Sequence, residues 1–153
     1  MRDLQVERWT GPIYLDTSAV VKLFVPEAES DDLNEALIGA QDVILSDLAL
    51  TETASALGRR AREGLLAPAE SRRLQREAAK LAASCRRAET TPLVHRRAER
   101  LLLTLPEIPL RALDALHVAL ALDADAATFV TYDPRLSAVA ASQGLFVARK
   151  TGP

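Results

Sequence analysis

The 153-residue chain has a single cysteine, Cys85, which excludes an intramolecular disulfide framework and every cysteine-rich zinc module. Its two histidines, His95 and His117, are too few for most imidazole-based metal sites. Aromatic residues make up only 4%, leaving no base-stacking platform of the kind used by single-strand binders. No stretch approaches the roughly 18 apolar residues of a membrane span. The opening MRDLQVERWTG mixes both charges and lacks the apolar core of a secretory signal. The P-loop, Gly-x-Gly-x-x-Gly and Gly-x-Ser-x-Gly patterns are all missing, and no side-chain nucleophile stands out. The chain reads as soluble and cytoplasmic.

What is present fits one globular domain over residues 1–153. Hydrophobic residues are 48% and charged residues 26%, and a chain of this length corresponds to about one domain. Such a domain buries about two thirds of its unfolded surface, so its core needs no staples. The net charge of −2 hides an asymmetry. Residues 58–100 hold twelve basic side chains against five acids, a net of +7, which leaves −9 for the remainder. A basic middle with acidic flanks suits a protein that draws a polyanion toward a cation-holding pocket, and equally suits a pair of solvated arginine-rich helices.

Along the chain, apolar runs of strand-forming residues alternate with helical patterns. Ile13-Tyr14-Leu15-Asp16 reads as a strand, followed by a helix capped by Thr17 or Ser18 and stopped by Pro26. A second helix is expected from Glu27 to Ala40, a buried strand at 43–45, and a helix from about 47 to 63 ending at Gly64. Pro68 opens a helix to about 87, and Pro92 another to about 105. The nearly all-apolar stretch 110–122 predicts a buried helix. Residues 128–132 read as a strand ended by Asp133-Pro134, then come a short helix and a last strand at 145–147. Strands separated by helices imply right-handed crossovers and a mostly parallel sheet covered on both faces. In such sheets ligands sit beyond the carboxyl ends of the strands, where Asp16 and Asp133 come to the same edge.

Four carboxylates therefore draw notice. Asp16 and Asp133 close strands, Glu52 lies among the small residues of a helix following a buried strand, and Asp114 is embedded in the apolar helix. Each has an ordinary reading taken singly: a helix cap for Asp16, a surface helix position for Glu52, a dipole-compensating first-turn acid for Asp114, a turn residue for Asp133. Together, with Arg111 the nearest basic residue, they suit the hard, oxygen-seeking ions Mg²⁺ or Mn²⁺. The chemistry such a site suggests is in-line hydrolysis of a phosphodiester by an activated water.

The motifs themselves resemble a known family. Tyr14-Leu15-Asp16-Thr17-Ser18-Ala19-Val20-Val21-Lys22-Leu23 is similar to the opening motif of PIN-domain ribonucleases, especially the VapC-type toxins of type II toxin–antitoxin pairs. Leu110-Arg111-Ala112-Leu113-Asp114-Ala115-Leu116-His117 resembles their third acidic motif and Thr131-Tyr132-Asp133-Pro134-Arg135-Leu136 the fourth, while residues 46–52 match a looser second. The resemblance spans about residues 12–148. It implies a three-layer α/β/α sandwich and a carboxylate pocket for Mg²⁺ or Mn²⁺, formed by Asp16, Glu52, Asp114 and Asp133 as catalytic and metal-holding residues. Ser18 and Thr131 match positions that hydrogen-bond the acids or the metal's waters, with plain capping and strand polarity as the alternative. It further implies endonucleolytic cleavage of RNA, a homodimer, and a cognate antitoxin covering the site.

Two rival functions remain in view: an RNA-processing nuclease without an antitoxin, and a catalytically silent binding module on the same fold. His117 shares a helix face with Asp114 and reads as a packed or supporting histidine, His95 as surface-lying, Cys85 as a small filler, and Asp123 and Asp125 as a helix end. Arg111 is open between contacting phosphate, pairing with an acid, and starting a helix. The arginine-rich segment is open between RNA and antitoxin.

Overall fold

The computed structural model describes residues 9–148, so the opening residues 1–8 and the last five lie outside the described part. Five short strands alternate with helices: β1 (Ile13–Leu15), α1 (Thr17–Phe24), α2 (Ser30–Leu37), β2 (Val43–Ser46), α3 (Asp47–Arg62), α4 (Pro68–Ser84) and β3 (Arg86–Ala88). Then follow α5 (Pro92–Thr104), α6 (Ala112–Asp123), β4 (Thr128–Val130), α7 (Pro134–Ser142) and β5 (Phe146–Ala148). All pairings are parallel, in the order β3-β2-β1-β4-β5.

The register explains the layers. Tyr14 aligns with Ile44 and Phe129, while Leu15 aligns with Leu45 and Val130. Successive strand residues point to opposite faces. Tyr14, Ile44 and Phe129 accordingly pack with Val94, Ala98, Val118 and Val139 of α5, α6 and α7. Ile13, Leu15, Leu45 and Val130 pack with Val20, Leu33, Ala49 and Ala78 of α1 to α4. The result is a three-layer α/β/α sandwich with β1 at its centre. Because strands on either side of β1 are reached by chain running in opposite directions, the crevice beyond β1 and β4 is a topological switch point.

Most expected elements are present, but the helix expected over 27–40 spans only Ser30–Leu37 and the strand expected over 128–132 ends at Val130. α3 ends at Arg62, and Gly64, two residues on, turns the chain away with a φ of +73° that a side-chain-bearing residue rarely adopts. α6 is buried nearly all round, including Asp114 and His117.

Two local expectations are corrected. The helix from Pro68, expected to reach about 87, stops at Ser84, and Arg86 and Arg87 belong instead with Ala88 to strand β3. Its Arg86 and Arg87 are exposed and Ala88 is buried, with Ser46 opposite Ala88. A three-residue edge strand with two arginines carries no β-forming pattern; its pairing with β2 comes from the fold. The cap of α1 is Asp16, not Thr17 or Ser18, since the Asp16 carboxylate accepts from the Ala19 backbone N–H.

Candidate active site

Asp16 directly follows the central strand, and its backbone N–H donates to the Val130 carbonyl of β4 at 3.1 Å. Its side chain turns back over the first turn of α1. Oδ1 accepts from the Ser18 hydroxyl at 2.6 Å and from the Ala19 N–H at 3.0 Å. Only 3% of the residue is exposed. Burial pushes its carboxyl above the usual 3.8, opposed by the positive field of His117 and by hydrogen bonds from Ser18, Thr131 and the Ala19 N–H. Among the described residues it forms no ion pair. The cap reading and the site reading therefore describe one and the same side chain.

Ser18 does a second job. Its Oγ accepts from the Tyr132 N–H at 3.0 Å, stitching the end of β4 to the start of α1. Thr131 is buried beside Asp16, and its Oγ1 accepts from the Asp133 N–H at 3.1 Å. Both residues singled out from sequence thus contact an acid. Asp133 caps α7, accepting from the Arg135 N–H at 2.8 Å, and is only half-buried.

Asp114 sits in the first turn of α6 and is 7% exposed. Its Oδ2 accepts from the Arg111 backbone N–H at 3.3 Å and from Arg111 Nε at 3.2 Å. Of the options for Arg111, the structure shows pairing with an acid and capping of α6. Glu52, on α3, accepts at Oε1 from the Thr17 hydroxyl (2.9 Å) and from His117 Nε2 (2.5 Å). Burial alone would raise its carboxyl, but the hydrogen bond and charge of His117, then Thr17 and Arg111, outweigh it and hold the group below its ordinary value.

One cavity of about 440 Å³ gathers these groups. Asp16, Glu52, Asp114 and Asp133 all line it, with Thr17, Ser18 and His117. Four cations, Lys22, Arg59, Arg60 and Arg111, share the wall. Sequence reasoning missed part of this. Lys22 lies 3.2 Å from Glu27 and 4.7 Å above the Tyr132 ring, and Glu27 also pairs with Arg60. Burial, then the negative field of Glu29, Asp32 and Asp16, pushes the Tyr132 phenol up to about 12. His117 was seen to share a face with Asp114, yet its partner is Glu52, sixty-five positions away and invisible to local spacing.

The arginine-rich segment divides. Only Arg59 and Arg60 among its basic side chains reach the cavity. Arg73 pairs with Glu70, Lys80 with Glu77 and Arg86 with Asp42. His95 is exposed and Cys85 is half-buried against the α1–α4 core, as expected, and Asp123 ends α6.

Among the described residues, no three carboxylate, imidazole or thiolate groups stand close enough to form a ready-made metal cage. Mg²⁺ does not need one, because it usually keeps several waters and takes one or two carboxylates. The donors present are hard oxygens, and Asp16 is a buried acid in no ion pair among the described residues. Those residues fit a divalent cation.

The PIN domain profile matches residues 13–142. The chain belongs to the PIN domain family. No curated protein sequence matches it. Its fold is shared with solved VapC toxin structures. One is VapC20 of Mycobacterium tuberculosis, described as a sarcin-ricin loop cleaving toxin: TM-score 0.66, 23% identity, covering 82% of this chain and 93% of the other. A second is VapBC2 of Rickettsia felis, bound to a DNA fragment from its promoter: TM-score 0.65, 14% identity, 89% and 96% covered. A third is FitAcB of Neisseria gonorrhoeae: TM-score 0.69, 18% identity, 90% and 96% covered. Among the described residues, this PIN chain has no helix long and apolar enough to cross a membrane.

Proposed function

We propose that the protein is a Mg²⁺- or Mn²⁺-dependent endoribonuclease acting as the VapC-type toxin of a toxin–antitoxin pair. The observation that carries this reading is the convergence of Asp16, Glu52, Asp114 and Asp133 on one cavity at the switch point of the sheet, with Asp16 buried and, among the described residues, in no ion pair. Asp16, Asp114 and Glu52 are the residues that would hold the ion, with Asp133 as a looser fourth acid. A divalent ion held by these carboxylates would supply Lewis acidity for hydrolysis of a phosphodiester.

The chain's own groups supply the rest. Ser18 and the Ala19 N–H fix the Asp16 carboxylate before substrate arrives, so no reorganisation is needed at the moment of reaction. Arg59, Arg60 and Lys22 give the cavity a cationic side that meets flanking phosphates, while the acids alone would repel them. Arg111 holds Asp114 through an exposed guanidinium, free to turn toward a phosphate oxygen once Asp114 has another cation. The family membership and the fold shared with VapC20 support RNA as substrate. The complexes VapBC2 and FitAcB support a cognate antitoxin as partner, and the VapC resemblance supports a homodimer.

The test is cleavage of a mixed set of single-stranded and structured RNAs by the purified, antitoxin-free protein. Cleavage is expected with Mg²⁺ or Mn²⁺, and is expected to vanish with chelator and in Asp16→Ala. Cleavage that persists in Asp16→Ala, or in excess chelator, would overturn the reading.

A further inference from the structure

Of the acids at 16, 52, 114 and 133, Glu52 is the one held, among the described residues, by side chains from two other helices, and the grip extends into the core. Its Oε1 receives the Thr17 hydroxyl of α1 and Nε2 of His117 of α6, and those two groups are themselves 3.1 Å apart. His117 is 3% exposed. Its Nδ1 shares a 2.8 Å hydrogen bond with the Tyr14 hydroxyl, which in turn donates to Ser46 Oγ at 3.1 Å. Ser46 is the cap of α3, the helix that carries Glu52, and accepts from the Ala49 N–H. The Tyr14 ring is stacked on Phe129 and meets the imidazole edge-on, so the histidine has little freedom to rotate.

A continuous chain of hydrogen bonds thus runs from the cavity wall through the central strand and back to the helix that bears the acid. An imidazole so placed must keep a proton on Nε2, because the ionised Glu52 carboxylate offers only acceptors. Glu52 Oε2 makes no hydrogen bond among the described residues, so Oε1 is committed and Oε2 is left for a cation. Partners of this kind, which orient a metal-holding carboxylate, typically change metal affinity 10–100-fold when removed.

We propose that His117, anchored by Tyr14 and Ser46, is a positioning residue that clamps Glu52 Oε1 and so presents Oε2 to the divalent cation. This rests on the metal site proposed above. Its particular claim is that the Nε2 contact, not simply the presence of a buried imidazole, sets cation affinity.

Two substitutions separate those possibilities. His117→Gln places an amide donor near the Nε2 position and forgoes Tyr14; His117→Asn places one near Nδ1 and forgoes Glu52. Mn²⁺ affinity is measured on the chelator-stripped full-length protein by electron paramagnetic resonance of free Mn²⁺, with thermal unfolding run on the same samples. The wild-type chain is expected to bind Mn²⁺, His117→Gln to stay within a few-fold of it, and His117→Asn to bind 10–100-fold more weakly. Tyr14→Phe, which keeps the ring and frees the imidazole, is expected to fall between them. Equal weakening in the Gln and Asn variants, or wild-type affinity in both, would overturn the clamp while leaving the metal site intact. Absence of Mn²⁺ binding by the wild-type chain would instead overturn the metal site, and the clamp with it. Should His117→Asn unfold, Thr17→Val decides, since it removes the second donor to the same oxygen. A loss of affinity there supports the clamp, and wild-type affinity counts against it.

Discussion

Asp16 and Asp133 occupy equivalent local positions: each follows a parallel strand and caps the next helix through its own side chain. Their surroundings differ. Asp16 follows the central strand, covered on both sides, and is buried with no ion pair among the described residues; Asp133 lies three residues beyond β4, half-exposed, with the Arg135 guanidinium 3.7 Å away. A strand–acid–helix motif therefore does not by itself set an acid's role. Its place in the sheet decides how much water it loses, and so how strongly it seeks a cation.

The sharpest way to break this comparison is to remove each acid in turn. Asp16→Ala is expected to lower RNA cleavage by about 10²–10³-fold or more, the scale of losing one preorganised electrostatic group. Asp133→Ala is expected to cost about ten-fold, the lower end for a group acting through an intermediary. Single-turnover rates at saturating Mn²⁺ would show it, and equal losses would erase the distinction.

Stability should run the opposite way. The Asp16 carboxyl titrates above 3.8 in the folded state, so the native chain holds that proton to higher pH than the unfolded chain does. This contribution is complete below 3.8 and is lost as pH rises through the raised value. Chelator-treated Asp16→Asn should therefore be more stable than the parent at neutral pH and should lack that decline. Urea unfolding across the acid range would detect it. Asp133→Asn, at a half-exposed cap, should gain nothing.

A smaller contrast lies between cations inside and outside the cavity. Arg59→Ala is expected to raise the KM for RNA several-fold at low salt, with the effect shrinking as salt rises. Arg73→Ala, paired with Glu70 on an exposed face, should leave KM unchanged and stability little altered. An equal rise in KM for both would make the basic segment one continuous RNA track.

Much of this was legible in the chain itself. Short apolar runs of strand-forming residues gave β1, β2 and β4, and prolines at first turns opened α4, α5 and α7. The acids at 16, 52, 114 and 133 were visible because carboxylates are rare in such apolar settings. What escaped was set by tertiary partners. β3 is a strand because β2 offers its edge, in spite of two arginines. His117 meets Glu52 because α3 and α6 converge on the cavity from opposite sides of the sheet, a closeness that no spacing along one helix encodes. The arginine-rich segment looked uniform in sequence, yet of its twelve basic side chains only Arg59 and Arg60 reach the cavity, and Arg73, Lys80 and Arg86 are answered by neighbouring acids on other faces.

The most direct measurement is the position of Mn²⁺ in crystals of the wild-type protein, located by its anomalous scattering. An ion in the cavity with a carboxylate oxygen of Asp16 in its coordination shell, and Asp114 beside it, is the expected result. Ordered Mn²⁺ that leaves Asp16 uncoordinated, or a cavity that stays empty at millimolar Mn²⁺, would contradict the central claim that this buried acid exists to hold a cation.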